Sequence, residues 1–265
     1  MSLSDEHIAE RHAARGLSLR ALVPNAITAA ALCSGLTGIR FAIAGDFENA
    51  VQAVILAGVL DGIDGRAARL LKAQSRFGAE LDSLADSISF GVAPALIVYL
   101  WSLRDLPSFG WIAALAFAIC CVLRLARFNA RIDNLDQPHK QAGFLTGVPA
   151  PVGAGLAFLP VYIWLASGLP EFAHPVAIGV WMLLIAFLMI SNLPTLSWSR
   201  VRPPNHLRIG LLALIGILMA ALLTEPWLTL AGVSLVYLVL ILPYGLLRYA
   251  RVRRRDASIP MQRPV

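Results

Sequence analysis

Charge is scarce in this sequence. Asp, Glu, Lys and Arg make up 14% of its 265 residues, against about 25% in an average soluble domain. That shortage excludes a water-exposed surface around the whole molecule. Cysteine is scarce too. The 3 cysteines, Cys33, Cys120 and Cys121, lie inside apolar runs, and no CxxC or Cys/His metal spacing occurs. A disulfide scaffold and a Cys/His zinc site are thereby excluded. Cys120 and Cys121 are adjacent and point apart on a helix, and all three read as small apolar residues. A basic patch is also missing. The 22 Lys and Arg fall in short, separate clusters beside apolar runs, which excludes nucleic acid as a partner.

Apolar residues are what the chain has in excess, at 58% of the sequence and a mean hydropathy of +0.70. A membrane-spanning helix takes about 20 mostly apolar residues. Eight such runs lie near 23–44, 48–65, 84–103, 109–126, 149–167, 175–192, 207–223 and 227–247. The second and third must extend into polar flanks to reach full length. The runs predict an all-α integral membrane protein, a polytopic helical bundle with about eight transmembrane helices. Lys and Arg concentrate in 1–22, 66–76, 124–140, 200–208 and 248–265, whereas the loops near 45–47, 104–108, 168–174 and 224–226 hold one, Arg104. Arg40 lies near the far end of the first run, where it can snorkel. This bias predicts cytoplasmic termini, as an even number of spans permits.

No cleavable leader is expected, because residues 1–20 are polar and the first apolar run is a full span. Residues 1–22 form a cytoplasmic N-terminal segment, amphipathic over 4–20. Residues 23–199 form a six-helix core, 200–247 two additional transmembrane helices, and 248–265 a basic cytoplasmic tail. Arg251, Arg253, Arg254 and Arg255 of that tail are expected to meet anionic head groups of membrane lipids. The last two spans hold one acid, Glu225 in their connecting turn, and read as packing or oligomer helices. Pro149 and Pro151 suit the first turn of the fifth helix, and Pro160 is expected to kink it.

Chemistry concentrates in DGIDGRAARLLKAQSRFGAELDSLAD, residues 61–86. Asp61 and Asp64 are three apart, and Asp82 and Asp86 four apart, so each pair shares a helix face. Two helices joined by a short turn run antiparallel, which brings both pairs to similar depth. A lone Asp at a helix centre costs roughly 2.5–3.5 kcal/mol to insert, and intramembrane acids point to function by default. Four acids in two facing pairs suit hard cations such as magnesium or manganese. Two such ions clamp both ends of a phosphoryl displacement. The alternative is ion pairing with Arg66, Arg69 and Arg76. Gly65 and Gly78 weaken helices; they allow either close approach of a ligand or close helix packing.

The same stretch resembles the signature of the CDP-alcohol phosphatidyltransferase family, DxxDGxxARx8GxxxDxxxD, at every fixed position: Asp61, Asp64, Gly65, Ala68, Arg69, Gly78, Asp82 and Asp86. The resemblance implies two divalent cations, Mg or Mn, holding the diphosphate of a CDP-lipid such as CDP-diacylglycerol. Asp61 and Asp82 would contact both ions, Asp64 one and Asp86 the other. Asp86 is also implied as the base that accepts the alcohol proton. Gly65, Arg69, Ser75 and Gly78 are implied to bind the CDP-lipid. So are Asn25 and Thr28 of a PNxxT motif, which starts at Pro24 and is expected to open the first helix.

Flanking motifs narrow the acceptor. SFGVAPA (89–95), RLARFN (124–129), FLTGVPAP (144–151) and SNLPTLSW (191–198) together resemble the membrane-type phosphatidylserine synthases, a bacterial and archaeal branch of that family. The likeness covers about residues 23–199. It implies L-serine as acceptor, phosphatidylserine and CMP as products, the cell (inner) membrane as location, and a homodimer. Arg124 and Arg127 are three apart on one helix face. They either snorkel or bind the serine carboxylate through a bidentate fork. Ser89 and Asn129 are further candidates for serine contacts. The nearest alternative is the same transfer to choline, inositol or glycerol phosphate; a choline site would favour an aromatic cage. A cation transporter leaves Gly65, Arg69 and Gly78 unexplained, and a membrane scaffold leaves the acids unexplained.

Overall fold

The structure, a computed structural model, describes residues 19–106, 108–130, 144–191, 194–196 and 205–244. The expected surface helix up to residue 18 and the arginines of the tail lie outside the described residues. The chain divides into two compact units, Met1–Ala93 and Pro94–Val265.

In the first unit α1 (Leu19–Ile43) and α2 (Phe47–Leu70) form a hairpin, followed by α3 (Arg76–Asp86) and a π-helical turn, Ser87–Val92. The buried positions of α1 are Ala21, Pro24, Thr28, Ala31, Gly35, Gly38 and Ala42. They alternate three and four apart, the seven-residue period of helices that pack side by side. Every one is small, while Leu22, Val23, Leu36 and Ile43 point outward. Small seams and large outer faces mark helix packing in lipid, where close van der Waals approach replaces the hydrophobic effect. The closeness is explicit at Gly38, where a Cβ would come 2.8 Å from the Ala50 carbonyl oxygen, and at Ser34, whose Oγ donates to the Ala53 carbonyl at 2.7 Å.

The hairpin turn is closed by backbone chemistry. Gly45 adopts φ +81°, and the Asp46 N–H reaches back to the Phe41 carbonyl at 3.0 Å, a left-handed helix stop. Asp46 then caps α2, accepting from the Asn49 N–H at 3.1 Å. Pro24 lies inside α1, five residues after Leu19, rather than opening the helix as its motif suggests. The apolar residues Leu19, Ala21, Leu22 and Val23 extend the helix ahead of it.

In the second unit α4 (Ala93–Trp101) leads to α5 (Phe109–Asn129), strand β1 (Phe144–Thr146), α6 (Ala150–Ala157), α7 (Leu159–Ser167), α8 (Pro175–Ile190), strand β2 (Pro194–Leu196), α9 (Asn205–Thr224) and α10 (Pro226–Val236). α5 packs along α8 through buried Ala113, Ala114, Phe117 and Cys121 on one side and Ile178, Met182, Ile185 and Met189 on the other. Proline does more than kink the fifth apolar run; it divides it. Pro160 has no N–H for the Leu156 carbonyl, and the ladder breaks at Phe158 between α6 and α7. The freed Leu156 oxygen accepts instead from Trp181 Nε1 at 2.9 Å. β1 and β2 pair antiparallel, Leu145 opposite Thr195, a two-stranded ladder that hydropathy does not predict.

Each of the eight apolar runs is helical where described. Among the described residues, five helical segments are long and apolar enough to cross a membrane by length and composition, and two shorter apolar ones span Pro175–Ile190 and Ile209–Thr224. The protein is therefore a polytopic helical membrane protein. α2 is 24 residues long but carries Glu48, Asn49, Gln52, Asp61 and Asp64, which dilute its apolar character.

The seam yields a stability test. Gly38→Val should lower detergent-solubilised stability by about 1–3 kcal/mol through overpacking. Gly210→Val, where a Cβ meets nothing within 4 Å, should leave the melting temperature nearly unchanged. Equal melting shifts in the two variants would show that the seam is not close-packed.

Candidate active site

The α1–α2 seam changes character toward the N-terminal end of α1. There Thr28 and Asp64 take the place of small apolar residues; both are buried, at 5% and 3% exposure. Thr28 Oγ1 lies 2.6 Å from Asp64 Oδ2, to which it donates, and 3.1 Å from the Pro24 carbonyl. A buried carboxyl needs such a donor. Asp61 lies one turn earlier on α2, and α3 brings Asp82 and Asp86 to the same place. One carboxylate oxygen each from Asp61, Asp64 and Asp82 lies within 4.8 Å of the others. Asp61 is also within hydrogen-bonding reach of both Asp82 and Asp86. The two pairs expected to face one another do so, with Asp61 at the centre.

No Arg or Lys is among the charged neighbours of these four aspartates, and Arg66, Arg69 and Arg76 are exposed. The ion-pairing alternative therefore has no counterpart among the described residues. Oxygens around one octahedral magnesium lie about 3–4 Å apart, given its metal–oxygen distance of about 2.1 Å. The spacing and hard-oxygen chemistry of this cluster fit such an ion.

Beside the acids lies a cavity of about 360 Å³. Asn25, Thr28, Gly65, Arg69, Ser75 and Gly78, the six residues expected to bind the CDP-lipid, all line it, with Asp64 and Asp82. The turn that shapes it is capped twice. Ser75 is the N-cap of α3 and accepts from the Gly78 N–H at 3.0 Å. The end of α2 is closed by Ala73 N–H to the Ala68 carbonyl at 2.9 Å. Asn25 Nδ2 is buried without a hydrogen-bond partner, a donor with room for a ligand acceptor. The two glycines differ. A Cβ on Gly78 would press on Asn25 Oδ1 at 3.0 Å and Ser75 Oγ at 3.1 Å, whereas one on Gly65 meets no atom within 4 Å. Helix packing therefore accounts for Gly78 in part and for Gly65 not at all. Sequence reasoning missed Gln74, which also lines the cavity; its one signal is its place next to Ser75 in the turn.

The residues proposed for serine are placed differently. Ser89 lies in the π-helical turn after Asp86, 2% exposed. Its Oγ is a long 3.5 Å from the Ala31 carbonyl, and a Cβ on Gly35 would come 2.6 Å from it. Ser89 is a packing residue of the α1 seam and does not line the cavity. In the second unit Arg124 and Arg127 lie in the last two turns of α5, which ends at Asn129. Arg127 Nη2 donates to the Ser191 carbonyl at 3.3 Å. Gly147, at φ +75°, packs so closely that a Cβ would come 2.4 Å from the Met189 carbonyl oxygen. The Val148 N–H reaches the Leu188 carbonyl at 3.3 Å. The motifs RLARFN, FLTGVPAP and SNLPTLSW thus meet in one place.

The model of the family "CDP-alcohol phosphatidyltransferase" matches residues 21–191. The chain belongs to the CDP-alcohol phosphatidyltransferase family. A second model, "CDP-alcohol phosphatidyltransferase 2", matches residues 206–241 of this phosphatidyltransferase. Its curated relatives include the CDP-diacylglycerol–serine O-phosphatidyltransferase of Mycobacterium leprae, 38% identical over 217 residues, or 82% of this chain and 72% of the relative. The enzyme of that name from Helicobacter pylori (strain 26695) is 33% identical over 86% of this chain and 91% of its own length. That of Methanocaldococcus jannaschii is 33% identical over 77% and 85%.

Alanine separates the two glycines. Gly65→Ala should leave the melting temperature unchanged or slightly raised, since alanine suits a helix interior better than glycine, and raise the KM for CDP-lipid about tenfold, equivalent to ~1.4 kcal/mol. Gly78→Ala should raise that KM and also shift the melting temperature. Gly65→Ala with a wild-type KM would show that nothing approaches that face.

Proposed function

We propose that this enzyme transfers the phosphatidyl group of CDP-diacylglycerol to L-serine, giving phosphatidylserine and CMP in phospholipid biosynthesis. The observation that carries the reading is the cluster of Asp61, Asp64 and Asp82, with Asp86 in hydrogen-bonding reach of Asp61, beside a cavity lined by Asn25, Thr28, Gly65, Arg69, Ser75 and Gly78. Relatives named for this reaction cover most of the chain and support serine as acceptor. In the reaction the serine hydroxyl attacks the phosphorus that bears diacylglycerol, its bond to CMP breaks, and Asp86 takes the hydroxyl proton. Asp61, Asp64, Asp82 and Asp86 would hold two divalent cations, Mg or Mn, which neutralise charge on the diphosphate. Asn25 and Arg69 orient the CDP-lipid from the cavity wall. Of the acceptor candidates, Ser89 is packed away from the cavity, and Arg124, Arg127 and Asn129 stand for the serine carboxylate and amino group on the resemblance of their motif.

The wider architecture belongs to this reading. Eight spans rest on the eight apolar runs, cytoplasmic termini on the positive-inside bias, and residence in the cell membrane on the likeness to bacterial relatives. That orientation puts the aspartates near the face where serine is available and CMP can leave. The separate matches to residues 21–191 and 206–241 support a six-helix catalytic core followed by two further helices. A homodimer is the expected assembly.

The test is CMP release from CDP-diacylglycerol by purified protein with serine, choline, inositol or glycerol phosphate. Serine alone should support turnover; release with another alcohol and none with serine would overturn the acceptor. Excess EDTA should abolish release, and added Mg or Mn restore it; full turnover in EDTA would rule out metal dependence. Asp86→Asn should lose turnover and weaken CDP-lipid binding less than Asp61→Asn does. Arg124→Lys should raise the serine KM about 10- to 150-fold, the worth of one charge-assisted pair of roughly 1.5–3 kcal/mol, with the CDP-lipid KM unchanged. A serine KM within about twofold of wild type would return Arg124 to a topological role.

A further inference from the structure

Among the described residues one non-glycine residue has a positive φ, Lys72 at +50°. It occupies the left-handed position that ends α2, with its N–H 3.2 Å from the Arg69 carbonyl. Glycine is the usual occupant, because a Cβ crowds the following carbonyl there. Lysine thus weakens the turn it sits in, and nothing visible offsets the strain. The residue is exposed, and its ammonium makes no hydrogen bond or ion pair among the described residues. Strain kept without a packing or pairing gain is a pointer to function.

What the position supplies is a place. Arg69 on one side and Ala73, Gln74 and Ser75 on the other line the cavity. Of the lining side chains, Arg69 is the one cation, against the carboxylates of Asp64 and Asp82. A diphosphate entering there adds further negative charge. Lys72 lies in the turn that joins these lining residues, and it carries a compact cation on a flexible four-carbon stem, suited to meeting phosphate oxygens as a point charge.

We propose that Lys72 is a substrate-binding residue whose ammonium meets the diphosphate of the CDP-lipid at the rim of the cavity. The inference rests on the CDP-lipid reading of that cavity. It assigns the strain a purpose: the left-handed turn holds the cation beside the entrance, where the glycine best for the turn would leave none.

Strain and charge separate by substitution, with the protein in neutral detergent so that CDP-diacylglycerol is the one anionic lipid. Lys72→Gly should raise the melting temperature and also raise the KM for CDP-diacylglycerol roughly three- to tenfold, with the serine KM unchanged. Lys72→Asn, which tolerates the left-handed region, should show the same KM loss, and Lys72→Arg should stay near wild type. A gain in stability with a loss of substrate affinity is not what a purely structural residue gives. A wild-type KM in Lys72→Gly overturns the proposal. So does an equal loss in Lys72→Arg, which would trace the effect to the turn. A loss that emerges only when phosphatidylglycerol is added would assign the lysine to bulk head groups and also overturn it. Direct titration with CDP-diacylglycerol distinguishes the two readings. A wild type that neither binds nor turns it over overturns both; a wild type that does both, matched by Lys72→Gly, overturns only the role of Lys72.

Discussion

Four carboxyl groups gathered between helices repel one another when ionised. Two like charges about 4 Å apart near a protein surface repel by roughly 4 kcal/mol, and an apolar surround makes each acid costly by itself. The groups cannot hold themselves together, so the backbone that carries them must be fixed by other means. α1 supplies these. On its seam Gly38 lets α2 approach until the Ala50 carbonyl is in contact, Ala31 and Gly35 receive Ser89 from the turn after α3, and the Gly45 turn with its Asp46 cap fixes where α2 starts. At the end of the seam Thr28 gives Asp64 a hydrogen bond. The PNxxT residues thus hold a carboxyl in place while lining the cavity.

The same need explains a feature that looks like disorder in the pattern. α1 and α2 show little separation of polar and apolar faces, because large apolar residues such as Leu22, Leu36, Leu56 and Ile63 point outward and small ones inward. In water that arrangement would expose the wrong face. In lipid the outer face needs only to be apolar, and size decides which residues meet. The side chains that read as the hydrophobic signal are those that do not build the core.

This explains what was legible in the sequence. Apolar length gave the helical runs, because lipid leaves a helix no other way to satisfy its backbone. The aspartate motif gave the cavity wall, because its residues lie within one hairpin and helical spacing fixes their faces. Pro160 could be read as a disruption, though not as the exact partner exchange with Trp181. What helical spacing does not show is contact between residues distant in sequence. Ser89 looked free to meet a substrate, yet the π-helical turn Ser87–Val92 rotates it into Gly35, a register change that spacing does not encode. Arg127 is one of two candidates for the serine carboxylate, and its bond to the Ser191 carbonyl at the end of α8 is likewise invisible to spacing. Helix ends leave carbonyls unpaired, and arginine is a common partner for them.

The contrast between the two sets of motifs has a physical origin. The four aspartates come from consecutive helices joined by a five-residue turn, residues 71–75, so a contiguous string of sequence determines nearly all their geometry. Three of the four motifs that narrow the acceptor are assembled from distant pieces: Arg127 meets Ser191 64 residues away, and Phe144 pairs with Leu196 across the whole of α6, α7 and α8. Each piece alone is short and would be unremarkable in a membrane protein. Their joint meaning depends on tight contacts such as Gly147 against the Met189 carbonyl, which leave no room for a side chain and leave little trace in hydropathy. The aspartate cluster is therefore legible from a local pattern, whereas the contacts among the flanking motifs belong to a long-range assembly that forms only once the chain has folded.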